Sequence, residues 1–375
     1  MKQGPRMTPF SFRLAAFALL AATTSLSAAQ AGPDETIKAA AEQARPAVID
    51  SLREMVLIES GSSDVEGLKK MADLTEGRLK ALGATTERRK TTRGVGADMV
   101  IGTFEGTGRR KLMLIAHMDT VYQPGILKTE PYHVEGDLIY GPGIADDKGG
   151  IAVILHSLQI LKDMGWRDYA RLTVAFNPDE EVGSIGSGEF IAELADQHDV
   201  VLSCEPTAAK PAAPVDSLLL GASGTATATA GTVRNQIPEK ASAGGDVRLT
   251  VADGVEKLQA ALDETTKSHL VPDTEVKVTI EKGRPPFIAS DRGRALGKEA
   301  QAIYAELERP LALVDMTGGA TDAGFANRSG KAIVVESFGI AGFNYHAHNE
   351  YIDSTTIVPR LYLMTRMLIE QGKKM

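Results

Sequence analysis

The sequence predicts an α/β protein built in layers around a largely parallel sheet. Short apolar runs typical of buried strands alternate with longer helical patterns along most of the 375 residues. Polar and acidic residues follow directly after several of these runs, and ligands collect beyond the carboxyl ends of strands in such sheets. A chain of this length builds one large or two medium domains with a substantial core.

The first predicted elements are two helices, each supported by apolar residues at helical spacing. One covers about residues 34–59, and the other covers residues 65–82 and ends at Gly83, which suits a C-cap. The elements predicted next are strand 85–89, strand 99–105, strand 111–116, helix 147–164, strand 171–176, helix 187–195 and strand 200–203.

The composition changes near Leu218 and indicates an insertion. Residues 218–230 are strand-like but poor in large side chains, and residues 231–245 form a short, polar stretch. The elements predicted beyond them are strand 246–251, helix 254–269 and strand 275–281, followed in the main domain by helix 293–307, strand 332–337 and helix 354–370. We therefore expect a small α+β insertion, residues 218–286, that divides a main domain into residues 32–217 and 287–375.

The N-terminal 31 residues have the layout of a secretory signal peptide. Three cations, Lys2, Arg6 and Arg13, surround or precede an apolar stretch over residues 14–22, and small residues follow up to Ala31. The alternative is a membrane anchor, but the apolar stretch is too short to span a bilayer. We expect cleavage after Ala31, which changes the net charge from −8 to −11, and a periplasmic or secreted bacterial protein.

Net charge and cysteine content narrow the possible partners and compartments. The charge of −8 and the lack of a basic stripe exclude a general nucleic-acid binder. The single cysteine, Cys204, allows no internal disulfide, so the stability of an exported chain must come from its core and any bound metals. Cys204 itself is expected to be a small core residue.

Potential metal ligands follow the ends of the predicted strands. His117 and Asp119 end one apolar run and share a face of it, because side chains alternate in an extended chain. The candidate ligands are His117, Asp146, either Glu180 or Glu181, Glu205, and His346 within Tyr345-His346-Ala347-His348-Asn349-Glu350. Nitrogen and oxygen ligands without thiolates suit Zn²⁺ as well as Mn²⁺ or Co²⁺.

The number of carboxylates favours two metal ions that share a bridging carboxylate. Three ligand carboxylates supply −3 against +4 from two divalent ions, and the surplus positive charge would stabilise a bound hydroxide. The glutamate of the Glu180–Glu181 pair that is not a ligand is then available as a general base.

Each piece of this site also has a simpler explanation. His117 and Asp119 alone would suggest a hydrogen-bonded pair, and Asp146-Asp147 could cap the helix that follows. Glu180-Glu181 could form a solvated first helical turn. Their joint placement at successive strand ends favours the metal site.

The sequence resembles the M20 family of zinc aminoacyl-hydrolases, and within it the glutamate carboxypeptidases of the carboxypeptidase G2 type. The matching stretches cover nearly the whole chain after residue 31: His117 to Val121, Gly141 to Gly150, Asp179 to Glu181, Glu205 to Thr207, Thr317 to Asp322 and His346 to Glu350. The resemblance implies a three-layer catalytic domain that holds two Zn²⁺ ions.

The resemblance also assigns roles to the candidate residues. It implies His117, Asp146 and Glu205 as ligands of one ion, and Asp146, Glu181 and His346 as ligands of the other, with Asp146 bridging. It makes Glu180 the general base and Asp119 the residue that orients His117. Asp147 then keeps only its place at the start of a helix.

The implied activity is amide hydrolysis that releases C-terminal glutamate from folate-like or N-acyl-glutamate substrates. Arg284 matches the family's substrate-binding arginine, and arginine suits bidentate recognition of a carboxylate. Asn235 and Arg248 resemble further substrate contacts from the lid domain. The expected partner is therefore a small molecule or peptide with a C-terminal glutamate.

The chain departs from the family in this lid. Family members contribute a histidine from a Ser-His-Ala-Gly-like motif in the lid, and no such motif occurs between Glu205 and His346, where His269 is the only histidine. We expect a shortened lid and a monomer, with weak dimerisation through residues 218–230 as the alternative. The alternative functions are a deacylase or dipeptidase for other N-acyl amino acids, and a metal-binding scaffold made inactive by the short lid.

Overall fold

The computed structural model describes residues 32–207, 227–230, 239–245, 247, 251, 253–268, 270–314 and 319–374. The expected signal peptide, Asn235 and Arg248 lie outside these residues. The described helices are α1 (Glu35–Val56), α2 (Val65–Leu82), α3 (Lys148–Asp163), α4 (Gly188–Ala195), α5 (Gly254–Thr265), α6 (Asp291–Ala305), α7 (Ala323–Ala326) and α8 (Ile357–Gly372). Three short 3-10 helices cover Ile126–Lys128, Glu180–Val182 and Ser354–Thr356. No helix in this part of the chain is long and apolar enough to cross a membrane.

The described strands form one large sheet and two small ones. They are β1 (Thr85–Lys90), β2 (Asp98–Glu105), β3 (Lys111–His117), β4 (His133–Glu135), β5 (Leu138–Tyr140), β6 (Arg171–Asn177), β7 (Val200–Ser203), β8 (Thr227–Ala230), β9 (Ala241–Gly244), β10 (Ile333–Val335), β11 (Gly342–Phe343) and β12 (Tyr351–Asp353). The large sheet has the order β1-β2-β6-β3-β7-β10, and only β2 runs antiparallel to its neighbours. The predicted α/β class with a largely parallel central sheet is confirmed.

The large sheet is buried on both faces. On β3, Leu112 and Leu114 belong to the core shared with α1, α2, α3 and α8, whereas Met113 and Ile115 belong to the core shared with α4 and α7. A strand covered on both sides needs apolar residues at successive positions, which explains its unbroken apolar run. The result is the expected arrangement of a sheet between two helical layers.

A four-stranded antiparallel sheet with the order β11-β12-β5-β4 is absent from the sequence prediction. Its strands have only two or three residues, too few for an alternating pattern to be recognised. The pairing of Tyr351 with Tyr140 joins the chain just after residue 350 to the chain just before residue 141. This sheet therefore brings two distant loops of the candidate site together.

The helices and strands predicted within residues 218–286 agree with the structure only in part. β8 falls within the strand predicted over residues 218–230, and α5 within the helix predicted over residues 254–269. β8 pairs with β9, which lies in the polar stretch 231–245, where no strand was predicted. The predicted strand 246–251 falls mostly outside the described residues, and its described positions, 247 and 251, are not in a strand.

The strand predicted over residues 275–281 was wrong. Val276, Val278 and Ile280 alternate as in a strand, but none of residues 274–290 is assigned to one. Val276 is 50% exposed, and no described strand pairs with the segment. Alternation alone does not form a strand, because a strand also needs a neighbour for its backbone hydrogen bonds.

Candidate metal centre

The expected ligands meet at one edge of the main sheet. His117 is the last residue of β3, Glu180 and Glu181 follow β6, and Glu205 follows β7. These three strands are parallel neighbours, so their carboxyl ends lie side by side. Asp146 precedes α3, and His346 lies between β11 and β12.

Asp146 lies between the two histidines. Its Oδ1 is 2.9 Å from Nε2 of His117, and its Oδ2 is 3.1 Å from Nε2 of His346. Asp146 is buried, with only 6% of its surface exposed. One carboxylate therefore presents a different oxygen to each imidazole.

Two glutamates extend this arrangement on either side. Oε2 of Glu181 is 3.1 Å from Nε2 of His346, and Oε1 of Glu205 is 3.8 Å from Nε2 of His117. Glu180 also lies close by, since single donor atoms of His117, Glu180 and Glu205 all fall within 4.8 Å of one another. The structure thus brings together all five expected ligands and the expected base.

The electrostatics of this cluster fit divalent cations. Burial, followed by repulsion from Asp146, raises the pKa of Glu205 to about 8, and burial likewise raises the pKa values of Glu180 and Glu181. Oε1 of Glu181 is buried and has no hydrogen-bond partner among the described residues. A nearby positive charge stabilises the ionised form of carboxylates crowded in this way. The candidate ligand atoms are only nitrogen and oxygen atoms, which suit Zn²⁺, Mn²⁺ or Co²⁺.

The two imidazoles partly supply that charge. Burial lowers the pKa of His117, but Glu205, Asp119 and Asp146 outweigh burial and raise it well above its usual range. Hydrogen bonds to Asp146 and Glu181 raise the pKa of His346 to about 10. Burial opposes ionisation of Asp146, yet its bonds to both histidines hold its pKa below the usual range.

Asp119 lies behind His117 and also organises the two glutamates. Nδ1 of His117 lies 3.0 Å from the backbone carbonyl oxygen of Asp119 and 3.3 Å from its carboxylate. That carboxylate accepts hydrogen bonds from the hydroxyl of Ser62 at 2.7 Å and from the amides of Glu180 and Glu181 at 3.0 and 3.1 Å. It is fully buried, so these contacts fix the turn that carries both glutamates.

Asp147 caps α3, as the sequence predicted. Its Oδ1 accepts the amide of Gly150 at 3.1 Å, and its Oδ2 accepts the amide of His117 at 3.3 Å. The cap therefore also ties the start of α3 to the end of β3.

Glu350 was not given a role from the sequence, although it ends the motif that contains His346. Its carboxylate accepts hydrogen bonds from the amides of Gly143, Ala145 and Asp146 at 2.7, 2.8 and 3.0 Å. The side chain is 1% exposed, and burial raises its pKa to about 7 against the opposing effect of these bonds. Glu350 thus shapes the loop that presents Asp146.

The loop that carries His346 is held by two other residues that the sequence did not indicate. Three of its residues, Asn344, His346 and Asn349, have φ values of 59°, 63° and 59°, a conformation that is uncommon outside glycine. The hydroxyl of Tyr122 donates to the carbonyl oxygen of Ala347 at 2.8 Å, and the carboxylate of Glu130 accepts the amide of Asn349 at 2.9 Å.

Glu336 supports the position of Glu205. It accepts hydrogen bonds from the hydroxyl of Thr321 at 2.6 Å and from the amides of Ser337 and Glu205 at 2.8 and 3.4 Å. Thr321 belongs to the motif of residues 317–322, of which residues 317 and 318 lie outside the described part. This motif therefore reaches the site through Glu336.

Arg284 lies at the site and contacts Glu180. Its guanidinium bonds to the carboxylate and to the backbone carbonyl oxygen of Glu180, and also to the carbonyl oxygen of Ala320. Only 10% of the Arg284 side chain and 7% of the Glu180 side chain are exposed. The other two residues expected to contact substrate, Asn235 and Arg248, lie outside the described residues.

Comparisons with known proteins agree with this architecture. The sequence profile described as Peptidase family M20/M25/M40 matches residues 113–370. Carboxypeptidase G2 of Pseudomonas sp. (strain RS-16) is 38% identical over 417 aligned positions, which cover 98% of this chain and 99% of the relative. The aligned span exceeds the 375 residues of this chain by 42, so the relative has at least that many residues without a counterpart here.

More distant relatives share part of the sequence or the fold alone. Cys-Gly metallodipeptidase DUG1 of Candida albicans is 32% identical over 183 residues, which cover 42% of this chain and 36% of that protein. The crystal structure of a tripeptidase from Staphylococcus aureus superposes with a TM-score of 0.67 at 20% identity, over 88% of this chain and 99% of that one. With its match to the family profile over most of its length and its similarity to carboxypeptidase G2 over nearly the whole chain, the chain belongs to peptidase family M20/M25/M40.

Proposed function

We propose that this metallopeptidase is a two-metal carboxypeptidase that releases C-terminal glutamate from folate-like or N-acyl-glutamate substrates. The observation that carries the proposal is the placement of His117 and His346 on different oxygens of Asp146, with Glu205 and Glu181 beside them. The similarity to carboxypeptidase G2 over nearly the whole chain supports a carboxypeptidase.

In this proposal the five ligands hold two ions. His117, Asp146 and Glu205 would hold one, and Asp146, Glu181 and His346 would hold the other, with Zn²⁺ preferred and Mn²⁺ or Co²⁺ as alternatives. When bound, such ions polarise a carbonyl group and lower the pKa of water.

Glu180 moves the proton in the proposed reaction. Its carboxylate takes a proton from the attacking water, whose oxygen bonds to the amide carbon, and then gives that proton to the amine as the C–N bond breaks. Asp119 orients His117 and fixes the Glu180 amide, so that the base is held at one place relative to the ligands.

Arg284 is the proposed binding residue for the C-terminal carboxylate of the substrate. Guanidinium groups bind carboxylates through paired hydrogen bonds, and Arg284 adjoins the proposed base. Asn235 and Arg248 are proposed as weaker contacts from the lid.

The cellular setting and chain organisation belong to the same proposal. We place the protein in the bacterial periplasm or outside the cell after removal of residues 1–31, and we assign residues 218–286 to a shortened lid within a main domain of residues 32–217 and 287–375. The 42 or more residues of carboxypeptidase G2 that lack a counterpart here support the shortening.

Glutamate release tests the proposal directly. The full mature chain, loaded with zinc, is assayed on an N-acyl-glutamate and on a folate-type substrate, and its metal content is measured on the same sample. The matched control is Glu180→Ala with equal metal content. Release by the parent protein well above the control supports the function, and release at the level of the control contradicts it.

A second candidate is a dipeptidase or deacylase of other N-acyl amino acids, because a metallodipeptidase is among the relatives. A substrate panel that differs only in the C-terminal residue separates the two. Equal rates when glutamate is replaced by alanine would favour the second candidate.

The third candidate is a metal-binding scaffold without turnover. It is favoured by the absence of a lid histidine in a Ser-His-Ala-Gly-like motif. Stoichiometric metal together with no hydrolysis of any member of the panel would support it.

A further inference from the structure

Arg284 is hydrogen-bonded to Glu180, the proposed general base, in the described structure. Its two terminal nitrogens contact Glu180, one at the carboxylate and the other at the backbone carbonyl oxygen. Both side chains are nearly buried, so water competes little for this contact. The carboxylate oxygen of Glu180 that faces Arg284 therefore accepts a hydrogen bond from the guanidinium.

The guanidinium still has an unused donor. Nε of Arg284 is buried and has no hydrogen-bond partner among the described residues. Buried polar groups of this kind are uncommon and call for a partner. A carboxylate binds guanidinium through two neighbouring nitrogens, so Nε and an adjacent terminal nitrogen offer a suitable edge.

A second buried acid near Arg284 has a different hydrogen-bond partner. Asp322 is 2% exposed and close enough for its charge to act on Arg284, but its carboxylate bonds to the hydroxyl of Ser184. Arg284 lies in a segment without helix or strand, between α5 and α6. Its side chain can therefore change partners without breaking regular secondary structure.

We propose that Arg284 is a latch that holds Glu180 in the substrate-free protein and exchanges it for the C-terminal carboxylate of the substrate. The inference rests on the proposed carboxypeptidase function and deepens it. A free carboxylate then acts twice, because it anchors the substrate and releases the base. A substrate whose C-terminus is an amide leaves Glu180 bound to Arg284, so it is discriminated against in kcat as well as in KM.

Binding of product separates this latch from a simple anchor. Calorimetric titrations with glutamate, alanine and their C-terminal amides use the full, metal-loaded chain. In Glu180→Gln the competing charge is removed, so the carboxylate ligands bind about tenfold more tightly, the effect of one charge-assisted hydrogen bond. The amides gain nothing.

Asp322→Asn is the matched control for charge. It removes one negative charge near Arg284 without removing a hydrogen-bond partner, so its effect measures electrostatics alone. A gain in Glu180→Gln that clearly exceeds the gain in Asp322→Asn supports the latch. Equal gains, or no carboxylate-dependent binding to either the parent or Glu180→Gln, overturn it.

Kinetics give the second readout. In the parent protein, replacing the free carboxylate of a substrate by an amide lowers kcat at least several-fold in addition to raising KM. In Arg284→Gln the same replacement changes kcat much less. A change in KM alone in the parent overturns the latch. Failure of the proposed function is distinguishable from failure of the latch. A chain without turnover contradicts the proposed function, whereas the calorimetric comparison of Glu180→Gln with Asp322→Asn tests the latch without requiring turnover.

Discussion

The backbone amide of Asp146 donates a hydrogen bond to the carboxylate of Glu350 over 3.0 Å, although 204 positions separate the two residues. The same carboxylate accepts the amides of Gly143 and Ala145. The proposed bridging ligand therefore depends on a residue that is not itself among the proposed ligands.

We expect Glu350→Gln to weaken metal binding. In either orientation of the glutamine amide, its nitrogen replaces an accepting oxygen and faces at least one backbone donor, so the loop that carries Asp146 loosens. Losses of roughly 10- to 100-fold in metal affinity are usual for such supporting residues. Competition with a chromogenic chelator measures the affinity.

Glu135→Gln is the control for Glu350→Gln. Glu135 ends β4, and Glu350 directly precedes β12 of the same four-stranded sheet. The side chain of Glu135 is 68% exposed. The control should keep the parent affinity. An affinity of Glu350→Gln within twofold of the parent would show that the loop holds its shape without this carboxylate.

The shared position of Asp146 predicts unequal effects of two ligand substitutions. His346→Ala removes one terminal ligand and should reduce the metal content from two ions per chain to one. Asp146→Asn weakens both positions and should leave less than one. Elemental analysis after dialysis measures these ratios, with His133→Ala as the histidine control because His133 is exposed and stacks on Tyr140 in the small sheet. Equal metal content in the two ligand variants would argue against a bridging Asp146.

Stability of the metal-free protein should fall as pH rises. The pKa of Glu205 is about 8 in the folded chain against 4.5 for the free group, so its contribution is complete below pH 4.5 and is lost as pH rises through 8. The pKa of His346 is raised from 6.5 to about 10, and its contribution is likewise lost on the alkaline side. Between about pH 6.5 and 8 both groups therefore act in the same direction.

Bound metal reverses this trend, because metal binding requires ionised carboxylates and neutral imidazoles. The difference in Tm between zinc-loaded and chelator-treated protein should therefore widen from pH 5.5 to pH 8. Scanning calorimetry at both pH values measures it, and comparing the two forms cancels groups outside the site. Glu205→Gln should flatten the curve of the metal-free protein. A difference that stays constant or narrows would contradict the prediction.

We expect the purified mature chain to be a monomer. The proposed lid is short and would offer little area for an interface between two copies of the chain. Size-exclusion chromatography with light scattering at micromolar concentration measures the mass. A stable dimer would contradict the prediction and direct attention to pairing through residues 218–230.

Much of the arrangement of the candidate site could be predicted because the expected ligands follow buried strands. An apolar run marks such a strand, and the charged residue after it, such as His117 or Glu205, is placed at the sheet edge by the fold itself. The roles of Glu350 and Tyr122 could not be predicted from local pattern. Their hydrogen bonds join backbone atoms more than 200 positions away in the sequence. The type of a residue does not indicate which distant partner it will contact.

The failed strand at residues 275–281 has a related cause. Its alternation of Val276, Val278 and Ile280 fits a strand, but strand formation depends on a neighbour that the local sequence does not specify. The strands of the small antiparallel sheet show the converse. β11 has only two residues and no recognisable pattern, yet it forms because β12 lies beside it.

The segment that follows the region between β7 and β10 packs against the first half of the chain. This packing has a consequence for limited proteolysis. β10 pairs in parallel with β7, and the hydroxyl of Tyr362 in α8 accepts the amide of Asp34 beside α1 at 2.8 Å. A protease that cuts near Val271, which is 61% exposed, would produce two fragments that share one sheet and one set of candidate ligands. The nicked protein should therefore run as two bands under denaturing conditions and as a single particle under native ones.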